Sequence, residues 1–85
     1  MKTEMENNSK IKYIVYCTTN LVNGKIYVGV HKTNPEIWDF YLGNGVYANN
    51  KATYERSQYA FQRAVKKYGP KNFRRSIIKE FPYTE

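Results

Sequence analysis

The sequence is poor in cysteine and in long apolar runs, and each shortage excludes a class of protein. Cys17 is the single cysteine of 85 residues, so a domain held together by internal disulfides is excluded. No apolar run approaches the roughly 20 residues that a membrane-spanning helix needs. The first ten residues are hydrophilic and lack the apolar centre of a signal peptide. We therefore expect a cytoplasmic protein.

The residues that usually form metal sites and hydrolytic triads are also scarce. One His and one Cys do not make a zinc site, and no Ser-His-Asp spacing is present. The Gly-Asn-Gly run at 43–45 is too short for a phosphate-binding loop and lacks its Lys and Ser or Thr. These shortages argue against a zinc enzyme, a Ser-His-Asp hydrolase and a phosphate-loop nucleotidase.

Positive charge and tyrosine are abundant. Fourteen Lys and Arg stand against seven Asp and Glu, which gives a net charge of +7, and there are nine tyrosines. Such a charge predicts a polyanionic partner, with nucleic acid as the default. A basic surface that only keeps the protein soluble is the alternative.

The pattern along the chain predicts a flexible arm over 1–10 and a single α/β (α+β) domain over 11–85. β-Branched and aromatic runs predict strands over 12–18, 25–31 and 73–81. Asn23-Gly24 is a dipeptide typical of a hairpin turn between the first two strands. Residues 33–40 predict a short helical turn capped by Asn34, and residues 41–50 an irregular loop.

The second predicted strand alternates two kinds of side chain. We expect its apolar members to face the core, namely Ile26, Val28 and Val30. The opposite face would then hold Tyr27, Gly29 and His31, with Tyr16 beside them on the first strand. Gly29 leaves a gap in that face where a backbone, a water or a phosphate can approach closely. Ordinary cross-strand tyrosines with a surface histidine remain the alternative.

Helical spacing over 53–68 predicts one amphipathic helix that ends at Gly69 and Pro70. Its apolar stripe comprises Phe61, Ala64, Val65 and Tyr68. A basic stripe on another side of the same predicted helix comprises Arg56, Arg63 and Lys67. Such a pair of stripes suits a helix that packs inward and contacts phosphates outward, although a solvated surface helix has the same pattern.

The hairpin and its downstream segments resemble the GIY-YIG nuclease family. In "YIVYCTTNLVNGKIYVG" the first triplet is IVY at 14–16 and the second is YVG at 27–29. Ile14 replaces the glycine of the first triplet, and Val28 replaces the isoleucine of the second. The segments "GVHKT", "YLGNG" and "FQRAVKKYGPKNFRRSIIKEF" follow in the order of the phage-type homing endonuclease branch, so the resemblance covers about 12–83.

The resemblance implies a three-stranded antiparallel sheet flanked by helices and metal-dependent hydrolysis of DNA, usually with Mg²⁺. By position, Tyr27 matches the tyrosine that activates or orients the attacking water, and Tyr16 helps to hold it. His31 matches the histidine of the branch and would transfer a proton or contact the phosphate. The family's arginine after the second triplet is absent, and Arg56 or Arg63 would replace it, with Arg63 as the catalytic candidate. The expected DNA contacts are Lys32, Arg56, Arg63, Lys67 and Lys71.

The family's metal-binding glutamate is the larger departure. It lies on a helix beyond the third strand, whereas the sequence given stops at Glu85. Glu80 lies within the predicted third strand, so neither residue matches the position. We therefore expect a domain truncated at its C-terminus, without a protein ligand for Mg²⁺ and without efficient catalysis.

Three functions remain open from the sequence. The first is a nuclease domain that binds DNA phosphodiesters. The second is a catalytically dead derivative, of the kind that a phage would encode, that binds DNA or sequesters a phosphate-containing nucleotide. The third is a basic module that docks on an acidic protein. None implies a membrane partner, and the oligomeric state is open.

Overall fold

Three strands rich in β-branched and aromatic residues form one antiparallel sheet, which confirms the predicted sheet. The computed structural model describes residues 10–56 and 58–83, so the predicted arm lies, apart from Lys10, outside the described residues. The elements are β1 (Lys12–Asn20), β2 (Ile26–Thr33), β3 (Tyr41–Gly43), β4 (Val46–Tyr47), α1 (Ala52–Glu55), α2 (Ala60–Tyr68) and β5 (Phe73–Pro82). The main sheet has the order β2-β1-β5, and β3 pairs with β4. No described helix is long and apolar enough to cross a bilayer.

The register of β1 against β2 decides which side chains share a face. Tyr16 pairs with Gly29, and Thr18 pairs with Tyr27. The predicted hairpin is confirmed, because the Gly24 N–H donates to the Asn20 carbonyl at 2.8 Å and Gly24 takes a φ of +78°. That positive φ is readily accessible to glycine.

The prediction that Ile26, Val28 and Val30 face the core is wrong. Their exposed fractions are 59%, 62% and 64%, whereas Tyr27 on the other face is half-buried. The alternation was predicted correctly, but the core lies on the opposite side of the strand.

The hairpin β3–β4 and helix α2 explain this reversal, because both pack on the tyrosine face. Their apolar side chains and the start of β5 form the buried cluster, which comprises Leu42, Val46, Phe61, Val65 and Phe73. The Tyr27 ring contacts the Phe61 ring edge-on at 4.4 Å between centroids. The Thr18 hydroxyl of β1 donates to the Leu42 carbonyl and so ties the hairpin to the sheet. A large aromatic ring buries more apolar area than a valine, which favours this side.

The segment 41–50, predicted as an irregular loop, contains a two-stranded hairpin. Tyr41 pairs with Tyr47 and Gly43 with Val46. Asn44 and Gly45 form the turn with φ of 53° and 79°, an Asn-Gly pair that favours such hairpins. The prediction overlooked this second Asn-Gly turn because its strands are only three and two residues long.

The single helix predicted over 53–68 is divided into α1 and α2. Tyr59 interrupts it with an extended backbone, φ −110° and ψ 157°. The Gln62 side chain accepts the N–H groups of Gln58 and Tyr59 at 2.9 and 3.1 Å, which caps the new helix start. The predicted end is confirmed, because the Gly69 N–H donates to the Val65 carbonyl at 2.8 Å.

The short helical turn predicted over 33–40 is not a helix. The Asn34 side chain accepts the Glu36 N–H at 3.0 Å, and the Asn34 carbonyl accepts the Ile37 N–H at 3.0 Å. Asn34 therefore caps a single turn, after which the chain extends towards β3.

Candidate functional site

A cleft of about 280 Å³ opens between β2, the β3–β4 turn and α2. It is lined by Tyr16, Tyr27, Val28, Gly43, Asn44 and Phe61. The hairpin register brings the two predicted tyrosines together here, since the strand partners of Tyr16 and Thr18 are Gly29 and Tyr27.

Two glycines make room for the Tyr16 ring, which is only 5% exposed. A Cβ atom placed on Gly43 would lie 2.9 Å from the Tyr16 hydroxyl, and one placed on Gly29 would lie closer still. The gap predicted over Gly29 is therefore filled by the Tyr16 ring rather than left for a water or a phosphate.

The Tyr16 hydroxyl is held in its neutral form. Burial, followed by the neighbouring Tyr41 hydroxyl, raises its pKa to about 12, and this outweighs the Asn44 backbone N–H and the Arg75 charge. At neutral pH Tyr16 is thus a hydrogen-bonding phenol and not a base.

Tyr41 connects the cleft to His31. The His31 and Tyr41 rings stack at 3.8 Å with 12° between their planes, and Tyr41 meets the Tyr16 ring edge-on at 5.8 Å. The Tyr41 hydroxyl accepts the Gly45 N–H at 3.2 Å. The hairpin therefore fixes both the face and the hydroxyl of Tyr41.

Asp39 anchors the far side of this cluster. Its carboxylate contacts His31 Nε2 at 2.8 Å and accepts the Thr33 hydroxyl at 2.7 Å. Arg75 Nη1 and the Tyr41 N–H each donate to Oδ1 at 3.0 Å. His31 is consequently held by a carboxylate on one edge and an aromatic ring on one face.

The pKa of the Asp39 carboxyl reflects these contacts. Burial alone would raise it, but the hydrogen bonds from Thr33, the Tyr41 N–H and His31, with the Arg75 charge, lower the pKa to about 2. Asp39 is therefore ionised throughout the physiological range.

Sequence reasoning missed Asp39, Tyr41 and Arg75. The Arg75 side chain is 4% exposed and also donates to the Tyr41 carbonyl at 3.1 Å. The only signal was local, an aspartate two residues before a tyrosine in "DFYLGNG". Its pairing with an arginine 36 residues later becomes visible only once β5 lies beside β1.

The predicted basic contacts are all exposed but do not share one helix. Arg63 and Lys67 lie one turn apart on α2, whereas Arg56 follows α1. The predicted three-residue stripe is wrong in this respect, because the helix is interrupted at Tyr59. Lys71 lies in the turn between α2 and β5, and Lys32 near the end of β2.

Arg63 does not share the helix face of the cleft. Phe61 lines the cleft, and two residues further along a helix correspond to a rotation of about 200°. The Arg63 Nη1 donates to the Gln58 carbonyl at 3.1 Å.

The described residues do not form a clustered metal site. Residues 10–56 and 58–83 contain no group of three or more His, Cys, Asp or Glu that would hold a metal. Asp39 accepts the Tyr41 N–H, yet its carboxylate oxygens already contact four donor groups in all. Glu80 is paired with Lys12 at 3.4 Å.

Comparison with known proteins identifies relatives from a bacteriophage. The chain is 45% identical over 73 residues to segE of Enterobacteria phage T4 and 38% identical over 76 residues to segD, proteins whose names give endonuclease as a provisional activity. It is also 39% identical over 75 residues to endonuclease segA of that phage. The matches cover 86%, 89% and 87% of this chain.

The matched region is a minor part of each relative. It corresponds to 29% of segE and 28% of segD and segA, so the chain spans under a third of their length. No family model matches the chain, and no solved structure matches it.

Proposed function

We propose that this chain is a nuclease-type domain of the GIY-YIG kind, which binds DNA and holds a phosphodiester at the cleft between Tyr16 and Tyr27. One observation supports this most strongly. The β1–β2 hairpin brings the tyrosines of both family-like triplets to a single cleft, in a chain similar to phage endonucleases.

Each side chain of the cluster has a proposed part. Tyr27 is half-buried and lines the cleft, so we assign to its hydroxyl the role of orienting a water or a phosphate oxygen. Tyr16 lines the same cleft as Tyr27 and would act there as a neutral hydrogen-bonding phenol. His31, held by Asp39 and Tyr41, is the candidate for contact with a phosphate oxygen.

Long-range electrostatics would attract DNA to the protein. The net charge of +7 attracts a polyanion, and such binding weakens as salt replaces the released counterions. The exposed Arg63 and Lys67 on α2, with Lys71 in the following turn, are the proposed backbone contacts. Arg75 is excluded from this group because Asp39 already neutralises it.

Hydrolysis is not assigned to the described residues. The chemistry implied by the resemblance uses a divalent metal to stabilise the transition state, and the described residues contain no group of three or more His, Cys, Asp or Glu that would hold one. The activity that we propose for the described residues is therefore binding of DNA without efficient cleavage.

Fluorescence anisotropy with a labelled DNA duplex tests the binding. We expect the logarithm of affinity to fall linearly with the logarithm of salt, and a Lys67→Ala change to reduce the slope by about 0.9. Tyr27→Phe should leave most of this affinity intact, because it removes one hydroxyl and no charge. Absence of salt-dependent DNA binding would overturn the proposal.

A nicking assay on supercoiled plasmid with Mg²⁺ or Mn²⁺ tests the proposed absence of efficient cleavage. We expect no cleavage from this chain or from its Tyr27→Phe variant. Cleavage that disappears in Tyr27→Phe would show that residues other than the family's glutamate suffice, and it would contradict the assignment of binding alone.

A nucleotide ligand is the second candidate, favoured by the small aromatic cleft. Tyr27 and Phe61 line it on one side and the Asn44 turn on the other. A ligand of this class would raise the melting temperature in proportion to the logarithm of its concentration. Such a shift with a mononucleotide, without duplex binding, would favour this function over the first.

A further inference from the structure

A second cavity, of about 330 Å³, lies beside the turn between α2 and β5. It is lined by Leu21, Trp38, Lys71, Phe73, Arg74 and Arg75, so it shares no lining residue with the tyrosine cleft. Three of its six lining residues are cationic and none is acidic. Trp38 and Arg74 had no role in the sequence-based prediction.

Two anchors hold the walls of this cavity in place. The Leu21 N–H donates to the Asn72 carbonyl at 2.8 Å, which joins the β1–β2 turn to the turn that contains Lys71. On the other side, Arg75 donates to Asp39 and to the Tyr41 carbonyl. The cavity is therefore fixed to the same Asp39 cluster that holds His31.

Trp38 is unusually placed for the largest aromatic side chain. Its exposed fraction is 46%, and the Arg75 guanidinium lies over its ring at 4.7 Å from the centroid. The nearby Phe40 has a φ of +69°, a conformation that is costly for a bulky residue and that recurs at ligand-contacting segments. The chain thus presents an indole to solvent on a strained, well-anchored turn.

We infer that this cavity is a subsite for one unpaired nucleotide of a DNA strand, whose base stacks on Trp38 while its phosphates contact Lys71 and Arg74. An exposed aromatic ring among cations is the arrangement by which proteins hold single strands. Bases within a duplex already stack on each other, so the ring favours an unpaired base. This inference rests on the proposed DNA binding and adds a strand-specific subsite to it.

The chain contains one tryptophan, so its fluorescence reports on this subsite directly. The probe is an oligothymidine of about eight nucleotides, a length within the range that single-strand binders cover. We expect saturable quenching of Trp38 emission, and tighter binding of this probe than of a duplex of the same length. Quenching by the duplex alone would instead indicate a wedge between paired bases and would overturn the inference.

Variants separate this subsite from general attraction. Trp38→Ala should weaken oligothymidine binding about ten-fold, while Trp38→Phe should retain part of the affinity. Lys71→Ala and Arg74→Ala should each reduce the salt slope by about 0.7. Lys51→Ala is the matched control, because Lys51 is exposed and does not line the cavity. Circular dichroism would verify that each variant folds.

The outcomes distinguish the two proposals. If the chain binds DNA but Trp38 emission is unchanged and the Trp38→Ala and Arg74→Ala variants behave like Lys51→Ala, the subsite is wrong and the proposed function stands. If neither duplex nor oligothymidine binds, the proposed function fails, and the subsite fails with it.

Discussion

The two faces of β2 differ in composition and in surroundings. One face carries Tyr27, Gly29 and His31, and the hairpin β3–β4 and helix α2 cover it. The other carries three β-branched residues, namely Ile26, Val28 and Val30, which are each about 60% exposed. The polar and aromatic face is thus the inner one, and the aliphatic face is the outer one.

Hydrophobicity alone therefore does not decide which side of a strand is buried. Tyr16 fills the space above Gly29 and Gly43, and its hydroxyl keeps polar partners inside the cluster. Aromatic rings with hydrogen-bonded hydroxyls therefore build this inner layer where aliphatic side chains were expected.

The largest expected contrast is between two isoleucines on opposite faces of the sheet. Ile14 is 0% exposed and Ile26 is 59% exposed. Ile14→Ala should reduce the free energy of unfolding by about 2–5 kcal/mol, because it leaves a cavity. Ile26→Ala should change it by about 0.5 kcal/mol or less. Urea denaturation measures the free energy of unfolding of both variants. Equal losses would contradict the assignment of one face as buried and the other as exposed.

A methyl group added at Gly29 should be the next largest effect. Its Cβ would overlap the Tyr16 hydroxyl, with the ring carbon that bears it at 2.7 Å. We expect Gly29→Ala to cost about 3 kcal/mol, at the upper end of overpacking. Combination with Tyr16→Phe removes the nearest overlapping atom and should recover part of the loss. Thermal denaturation of the single and double variants checks this, and full stability of Gly29→Ala would contradict the close packing.

The acid dependence of the free energy of unfolding should come from Asp39, and its size should be smaller than the effect of Gly29→Ala. Its pKa is lowered from 3.8 to about 2, so its contribution is present above pH about 4 and is lost as the pH falls towards 2. The contribution is about 2 kcal/mol. Asp39→Asn should therefore be less stable at neutral pH and lose that part of the acid dependence. Urea titrations across this range would contradict the assignment if both proteins lost stability in parallel.

The smallest effect is expected on the outer face. Val28→Thr and Val30→Thr keep the β-branched shape and exchange a methyl for a hydroxyl at positions that water already reaches. Each should change the free energy of unfolding by about 0.5 kcal/mol or less. A loss near that of Ile14→Ala in the same urea experiment would show that this face is covered in solution.

The sequence allowed the main sheet and the capped helix end to be predicted, because strand alternation and Gly69-Pro70 are local signals. It did not allow the buried side of β2 to be predicted, since that depends on where the β3–β4 hairpin folds back. The tyrosine pair was predicted from the hairpin and the family resemblance together. The Asp39–Arg75 pair was not, because it joins a turn to a strand 36 residues away.

The division of the predicted helix shows another limit. Spacing over Phe61, Val65 and Tyr68 was correct for α2, but extrapolation backward to Thr53 ignored the extended Tyr59. The Gln62 side chain stabilises the interruption. The spacing of apolar residues does not distinguish a Gln that caps the start of a helix from a Gln in its interior.

The most direct test of the central claim is an NMR titration of this chain with a short DNA duplex, followed at side-chain resonances on both faces of β2. We predict that ring protons of Tyr27, Tyr41 and His31 shift in a saturable manner, while the methyl groups of Ile26 and Val30, which are exposed and do not line the cleft, keep their chemical shifts. Shifts of the Ile26 and Val30 methyl groups, with unchanged Tyr27 and His31 rings, would contradict this, because DNA would then bind the outer face.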